Sequence, residues 1–435
     1  MMRVYTYRPH LDLTQIPVKV FGSNETRTRL MKRYLYFFTI IAFLDICFIR
    51  QADATPLLAI QAAERCDTCH EMPNRLDPKW MEENYTISER TCRLSCGVCH
   101  VNPSGGMLRN DSGFLYGTKA LPWKTDISKD IQDGLQEIKN NKFLTLGGDF
   151  RFLLLSREGS DANPLFFPMQ SDIYANANLG KHISLMTQMG LERGGNSAVR
   201  EAFGMIKNLP YNAYFKAGKF VPPYGHRLDD HTAFIRAKLG LDHSQPGSYV
   251  SGYEIGAEPV LLFARFSQFN ADVTPAGNTG KTARGISGEM GWRGLWLHLG
   301  ASYINIANSE TSSTSTTDKN AYGLFGAMRY KSVSYLFEFD TRRNHIEESG
   351  GSADYDARIT FNELNYKVVK GANIKLRYET YEPDKTVNDS RQTRYMAGLD
   401  IYPYPFTEIN LQYRINNEEA EKANNDVLLL AHIWF

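Results

Sequence analysis

The sequence lacks an excess of charge of either sign, because 49 Lys and Arg residues stand against 48 Asp and Glu residues in a chain of 435. Nucleic-acid-binding domains usually carry a basic surface, so we expect no nucleic-acid partner. The mean hydropathy is negative, which excludes a protein that crosses a membrane with many apolar helices. Aromatic residues are abundant, with 24 Tyr and 24 Phe. This combination suits a membrane β-barrel, whose strands present only alternate side chains to lipid.

The N-terminal region has the three parts of a secretory signal peptide. A basic Lys32-Arg33 pair precedes the apolar run Tyr34–Ile49, and small residues end at Ala54. The pattern predicts a signal peptide over residues 31–54, cleaved after Ala54, and an over-extended start over residues 1–30. The alternative is a signal anchor that stays attached, although the run is marginal for a hydrocarbon layer of about 30 Å. Export would bring the mature chain to an oxidising compartment.

Cysteine is scarce, with six in the chain, yet four of the six form two C-x-x-C-H motifs, Cys66–His70 and Cys96–His100. Two thiols three positions apart can form thioethers with both vinyl groups of one porphyrin, and the next residue then places its imidazole under the iron. The spacing therefore predicts two covalently attached c-type haems with proximal ligands His70 and His100. The predicted attachment residues are Cys66, Cys69, His70, Cys96, Cys99 and His100.

Zinc and disulfides are the alternatives for these cysteines. The 26 residues between Cys69 and Cys96 exceed the usual zinc-ribbon spacing of about 15–20, and zinc gives no reason for a histidine after both pairs. Loss of Cys47 with the signal peptide would leave five cysteines, an odd number for a disulfide framework. The sequence assigns no role to Cys92.

Methionines are the nearest candidates for the distal iron ligands. Met81 follows the first motif and Met107 follows the second at plausible distances, and methionine ligation would raise the reduction potential. Both residues could instead simply fill gaps in the packing. A histidine of the barrel could also supply a distal ligand.

Residues 55–125 are predicted to form a small, mostly irregular and helical dihaem cytochrome c segment, because proline and glycine interrupt it repeatedly. Two haems supply apolar surface and covalent cross-links that can order such a short segment. Residues 126–142 are predicted to form a linker helix, in which Ile127, Ile131 and Leu135 recur at helical spacing.

From residue 143 to residue 435 the hydrophobic pattern has a period of two, as in Ile409, Leu411 and Tyr413, which alternate with polar residues. The segments are about ten residues long, which is enough to cross a bilayer when tilted, and lipid requires a closed barrel. We predict a mainly β fold, an antiparallel outer-membrane β-barrel of about 16 strands in a bacterial cell. Short turns such as Lys331-Ser332 would lie at the periplasmic end, and longer loops such as Asn308–Lys319 outside. The last strand is predicted to run to Phe435.

The segment Val221–Thr232 clusters two histidines, His226 and His231, with two aspartates. Such ligands suit Fe(II), or a histidine could form a haem axial bond. The alternative is an ordered external or in-folded loop. Four further histidines of the barrel are predicted to be ordinary lumen or girdle residues: His182, His298, His345 and His432.

With these motifs in place, the chain resembles the fused cytochrome–porin proteins of the bacterial outer membrane, the iron-oxidase type among them. The resemblance rests on Thr55-Pro56 after the signal peptide, on Cys66–His70 close behind, and on the layout of the whole mature chain. It implies that the haem passes electrons between an external donor and periplasmic cytochromes. The second motif is a departure, and the following run Val101–Asn110 resembles cytochrome-linked outer-membrane proteins of metal-respiring bacteria. Both directions of electron flow therefore stay open.

The predicted function is electron conduction across the outer membrane, because about 30 Å of hydrocarbon separates donor from acceptor. The expected partners are a periplasmic cytochrome, an extracellular donor or acceptor such as ferrous or ferric iron, and outer-membrane lipid. The chain would then be an oxidoreductase in the broad sense, an extracellular iron oxidase or a metal reductase. The alternatives are a solute porin with an accessory haem segment, and a haem enzyme such as a peroxidase.

Overall fold

The computed structural model describes most of residues 99–125, at the end of the predicted cytochrome segment, and most of the predicted barrel. The described residues are 99–106, 108–110, 113–114, 116–125, 134, 143–161, 164–191, 197–228, 230, 232–241, 248–259, 261–271, 284–294, 296–311, 315–348, 351–387, 390–418 and 424–435. The predicted signal peptide, the first haem motif and, apart from Gly134, the linker helix lie outside them.

Sixteen β-strands follow one another in the part of the chain that the structure describes, which confirms the predicted number. They are β1 (Leu144–Arg157), β2 (Leu165–Leu179), β3 (Ile183–Leu191), β4 (Ser197–Leu209), β5 (Ala213–Phe220), β6 (Val250–Ala257), β7 (Leu262–Ala271), β8 (Arg284–Arg293), β9 (Leu297–Thr311), β10 (Ser315–Tyr330), β11 (Val333–Glu348), β12 (Gly351–Val369), β13 (Ala372–Glu382), β14 (Gln392–Ile401), β15 (Thr407–Asn417) and β16 (Asp426–Trp434). The helical elements are short: a π-helical turn (Tyr116–Ala120), a 3₁₀ turn (Pro210–Asn212) and α1 (Phe234–Ala237). Within the described residues, no helix has both the length and the apolar character needed to cross a bilayer.

Each strand pairs antiparallel with its neighbours in the sequence, and β1 pairs with β16 to close the barrel. The closing register runs from Asp149 opposite Trp434 to Arg157 opposite Asp426. Phe435 extends this seam, because its N–H donates to the carbonyl of Gly148 over 3.1 Å. Closure leaves no strand edge exposed, as a lipid environment requires.

The two faces of the strands differ as the period-two pattern predicts. On β15 the side chains of Ile409, Leu411 and Tyr413 point outward and are exposed, whereas Asn410 and Gln412 are buried in the interior. The same arrangement recurs around the barrel, so the outer surface is apolar and the lumen is lined by polar and charged groups. An apolar outer band around a closed barrel is the surface that the hydrocarbon core of a membrane accepts.

The predicted long loop Asn308–Lys319 is wrong. Strand β9 continues to Thr311 and β10 begins at Ser315, so the two strands extend through most of the Ser/Thr-rich run. Residues of this kind favour extended backbone, and an antiparallel pair can continue beyond the bilayer.

Two parts of the chain fill the lumen. The first comprises the described residues between 99 and 125, which we call the plug segment. The second comprises the described residues between 221 and 249, which connect β5 to β6 and which we call the lumen loop. The interior core joins both to the wall, since Leu108 of the plug, Phe234 of the loop and Phe269 of β7 belong to one buried cluster.

Candidate functional site in the barrel lumen

The second C-x-x-C-H motif leads directly into a tight hairpin of the plug segment. The N–H of Val101 donates to the carbonyl of Leu108 over 3.0 Å, and the N–H of Asn110 donates to the carbonyl of Cys99 over 2.9 Å. His100 pairs with Arg109 as an isolated antiparallel bridge. The hairpin therefore fixes the backbone at Cys99 and His100.

Asparagine and serine shape the tip of this hairpin. The side-chain carbonyl of Asn102 accepts hydrogen bonds from the N–H of Ser104 over 3.2 Å and from its hydroxyl over 2.7 Å, which is an Asx turn. Gly106 adopts a φ of 82°, a conformation that glycine takes without strain. A Cβ at this position would lie 2.5 Å from the guanidinium of Arg227.

Strands of the barrel hold the hairpin tip through charged side chains. The ammonium of Lys216, on β5, donates to Ser104 over 3.0 Å and lies 3.0 Å from the carboxylate of Glu254. Arg265, on β7, donates to the carbonyl of Pro103 over 2.9 Å. Because Lys216 and Glu254 are fully buried, these contacts lie inside the lumen.

The rest of the plug segment follows the end of the barrel that carries the short turns. The N–H of Trp123 donates to the carbonyl of Tyr402 over 2.7 Å, beside the β14–β15 turn. The rings of Phe114 and Phe406 are 5.0 Å apart, and the guanidinium of Arg109 lies 4.9 Å from the ring of Trp434. The plug segment thus runs from the short-turn rim into the lumen.

The lumen loop crosses the interior and reaches the opposite wall. The N–H of His226 donates to Glu338 over 2.6 Å, and the hydroxyl of Tyr224 donates to Asp340 over 2.9 Å, both on β11. The N–H of Phe234, in α1, donates to Glu379 of β13 over 2.7 Å. The in-folded alternative predicted for this segment is therefore what the described residues form.

Asp230 anchors the far end of the loop. Its carboxylate accepts a hydrogen bond of 2.7 Å from Arg377 and lies 3.8 Å from Arg414. Burial raises the pKa of Asp230, but these two guanidinium groups outweigh that effect and hold the pKa well below its usual value. The carboxylate of Asp230 consequently holds the loop to β13 through Arg377 and to β15 through Arg414.

Cys99 and His100 line two cavities that meet inside the barrel. The first, which we call the histidine cavity, lies between the hairpin, the lumen loop and the wall. The second, the rim cavity, extends toward the short-turn rim at Trp434.

The lining of the histidine cavity combines aromatic, cationic and imidazole groups. Among the described residues that line it, four are arginines and one, Glu289, is acidic. Carboxylates are the groups that guanidinium forks bind best, and a haem carries two propionates on an apolar ring. The arginine and phenylalanine side chains of this lining are Arg227, Arg236, Arg265, Arg293, Phe263 and Phe325.

The predicted haem residues are described only in part. Cys99 is buried and His100 is half-buried at the wall of both cavities. The other predicted haem residues lie outside the described residues: Cys66, Cys69, His70, Met81, Cys96 and Met107.

The predicted iron-binding pair in the lumen loop is likewise half described, because His231 lies outside the described residues. His226 is buried, and its Nε2 lies 2.9 Å from the carbonyl oxygen of Gly326 and 3.2 Å from that of Phe337. Nε2 therefore donates its hydrogen to the barrel backbone. Burial lowers the pKa of His226 to about 4, so its ring is neutral at neutral pH.

His298 is the residue that sequence reasoning did not single out. It lies on β9, opposite Arg293 of β8 and Ala327 of β10, and it lines the histidine cavity together with His100. The alternating pattern of its strand indicates that His298 faces the lumen. That pattern does not show which residues of other strands lie beside it.

Comparison with known proteins identifies the barrel. No protein-family model matches the chain, and no curated protein is similar to it in sequence. An anion-selective porin from Comamonas acidovorans is 13% identical, with a TM-score of 0.54 over 67% of this chain and 99% of that chain. A loop-deletion mutant of OmpT from Vibrio cholerae is 13% identical, with a TM-score of 0.52 over 67% and 99%. OmpF of Salmonella typhi, in complex with daunomycin, is 12% identical, with a TM-score of 0.51 over 67% and 97%.

The chain has a porin-like fold. Such low identity shows shared architecture, and the architecture of sixteen antiparallel strands with an apolar outer face localises the chain to the bacterial outer membrane. The plug segment and the lumen loop occupy the space inside this porin-like barrel.

Proposed function

We propose that the chain conducts electrons across the outer membrane through c-type haems attached to its N-terminal segment, the second of them inside the barrel lumen. One observation carries this proposal: Cys99 and His100, the last two residues of a C-x-x-C-H motif, line cavities within a barrel that spans lipid. Electrons would pass between an extracellular donor or acceptor, such as iron, and a periplasmic cytochrome.

The residues of the histidine cavity fit a haem in their chemistry. Cys96 and Cys99 would hold the porphyrin and His100 would bind its iron, while Phe263 and Phe325 supply apolar surface. The four arginines outnumber the carboxylates with which they pair, Glu201, Glu258 and Glu289, and this excess of positive charge would favour the two propionates. A c-type haem supplies reversible one-electron chemistry when bound, and the barrel wall separates it from lipid.

The position inside the lumen supports conduction over a soluble role. A hydrocarbon layer of about 30 Å is too thick for direct transfer between cytochromes on its two sides. A redox group held by the plug segment divides this distance. Described residues of the plug segment lie at the short-turn rim, where β1 begins and β16 ends, which in outer-membrane barrels is the periplasmic end.

The fold supports the alternative of a solute porin, but the residues that occupy the lumen argue against it. Open porins have a water-filled interior, whereas here the described residues of the plug segment are hydrogen-bonded to β5 and β7. Those of the lumen loop are hydrogen-bonded to β11 and β13. We therefore propose that solute diffusion is not the main activity.

The test uses full-length chain produced in a host that attaches c-type haems and reconstituted into liposomes that enclose a reduced viologen dye. External ferric citrate should oxidise the enclosed dye, and the variant Cys96→Ala/Cys99→Ala should lose most of this rate. The matched control is Cys92→Ala, a cysteine outside both motifs, which should retain it.

Haem staining and mass analysis of the same protein should show two attached haems in the parent and one in the double variant. A colourless protein, or equal dye oxidation in the parent and the double variant, would contradict the proposal. Liposome swelling in sugar solutions would instead identify a solute porin.

A further inference from the structure

His298 is a buried imidazole without hydrogen bonds. Only 2% of the residue is exposed, and neither ring nitrogen has a hydrogen-bond partner among the residues that the structure describes. A buried polar group without a hydrogen bond destabilises the folded state, so such a group calls for a ligand that the described residues do not supply.

The other buried histidines of the described lumen wall and loop have polar partners. His226 directs Nε2 to the carbonyls of Gly326 and Phe337. The ring of His432 lies 3.1 Å from Asp149 and 2.9 Å from Glu408. Of the three, His298 is the one for which both ring nitrogens lack a hydrogen-bond partner among the described residues.

Two phenylalanine rings fix the orientation of this imidazole. Phe263 and Phe325 contact it edge-on, with ring centroids 5.3 Å and 5.5 Å away and interplanar angles of 78° and 84°. The residue opposite on β10 is Ala327. A ring held in one orientation at the edge of a cavity can serve as an axial ligand.

The same cavity contains the second haem motif. His298, Cys99 and His100 all line the histidine cavity, and the hairpin that carries Cys99 is held against the wall by Lys216 and Arg265. We propose that His298 is the distal axial ligand of the iron whose proximal ligand is His100. This inference rests on the proposed function, because it requires a haem on the second motif.

Bis-histidine ligation has two consequences for the chain. It closes both axial positions, so the iron would transfer electrons without binding peroxide or another small substrate. It also sets a lower reduction potential than the methionine ligation predicted through Met107. A residue of the barrel wall, and not one of the cytochrome segment, would then help to set the reduction potential of the second haem.

The test uses the variant Cys66→Ala/Cys69→Ala as background, so that the second haem is the one observed. In full-length purified protein, the ferric haem should be low-spin by optical and electron paramagnetic resonance spectra. Adding His298→Ala should convert most of the signal to high-spin, and free imidazole should restore the low-spin form. Imidazole rescue distinguishes a lost ligand from a distorted fold.

His226→Ala is the matched control, a second buried histidine of the same cavity, and it should stay low-spin. His298→Met keeps the side-chain volume and should give a low-spin haem with a sulfur-to-iron charge-transfer band and a raised potential. A low-spin spectrum in His298→Ala without imidazole would overturn the proposal, as would a change in His226→Ala alone. Absence of any haem in the background variant would instead contradict the proposed function of the second motif.

Discussion

The ammonium of Lys216 lies 3.0 Å from the hydroxyl of Ser104 and 3.0 Å from the carboxylate of Glu254. One buried cation thus joins the tip of the plug segment to two neighbouring strands. A second hydrogen bond to Glu254, of 2.5 Å, comes from the hydroxyl of Tyr214. The plug segment is therefore held by the wall through charge as well as through apolar packing.

Removing this cation should destabilise the barrel. Lys216→Met leaves the Glu254 carboxylate buried without its counter-ion, which typically costs about 3–5 kcal/mol. The temperature at which the folded, fast-migrating form disappears on electrophoresis measures the loss. Lys219→Met is the control, since Lys219 lies on the same strand and bonds only the Val199 carbonyl at an exposed position. Equal losses in both variants would show that the buried cation does not hold the plug.

Gly106→Ala should weaken the seating of the hairpin and so destabilise the folded barrel. The substitution costs about 1–2 kcal/mol for its left-handed backbone and also displaces the guanidinium of Arg227. Gly180→Ala is the control, because Gly180 has a similar φ of 71° with open space around it. The temperature at which the folded, fast-migrating form disappears on electrophoresis should fall in Gly106→Ala and stay constant in Gly180→Ala. A larger fall in Gly180→Ala than in Gly106→Ala would contradict the close contact between Gly106 and Arg227.

Acid should loosen the lumen loop through His226. Its pKa is about 4 in the seated loop and about 6.5 when exposed to water. Between these values the displaced loop binds a proton that the seated loop does not, so seating weakens as pH falls through this range. The loss approaches about 3 kcal/mol at pH 4 and does not grow below it. The rate of protease cleavage within residues 221–249, followed at graded pH, measures the loss of seating. His226→Gln should remove the pH dependence of this rate between pH 4 and about 6.5.

Asp230→Asn should open the lumen. The substitution keeps the shape but removes the charge that Arg377 and Arg414 bind, and loss of such a bond costs about 1.5–3 kcal/mol. Channel openings in planar lipid bilayers should become about tenfold more frequent or more. The control is Asp384→Asn, an aspartate of the β13–β14 connection whose hydrogen bonds are local, to Thr386. Unchanged conductance in Asp230→Asn would mean that the loop is held without this anchor.

The period-two pattern was enough to predict the barrel, because side-chain alternation is a local property of a strand. Ile409, Leu411 and Tyr413 identified the lipid face of β15 without any knowledge of its neighbours. The length of a connection is less local. The run 308–319 looked like a loop by composition, yet pairing between β9 and β10 keeps most of it extended.

The contents of the lumen could not be predicted from sequence, because they depend on which distant residues face each other after closure. His298 stands 198 positions after His100, and only the barrel brings both to one cavity. The cluster at His226 drew attention by its composition, but its Nε2 is used by backbone carbonyls. The lone His298 on β9 carried no such signal.

The β1–β16 seam encloses the hairpin that follows Cys99 within a ring of strands. Haem attachment to a C-x-x-C-H motif requires an enzyme to reach both thiols and present the porphyrin. Once the hairpin is hydrogen-bonded to Lys216 and Arg265 inside the barrel, that enzyme cannot reach the thiols. Under the proposed function, haem would therefore have to be attached while the polypeptide is still unfolded in the periplasm, before β1 pairs with β16 and encloses the hairpin.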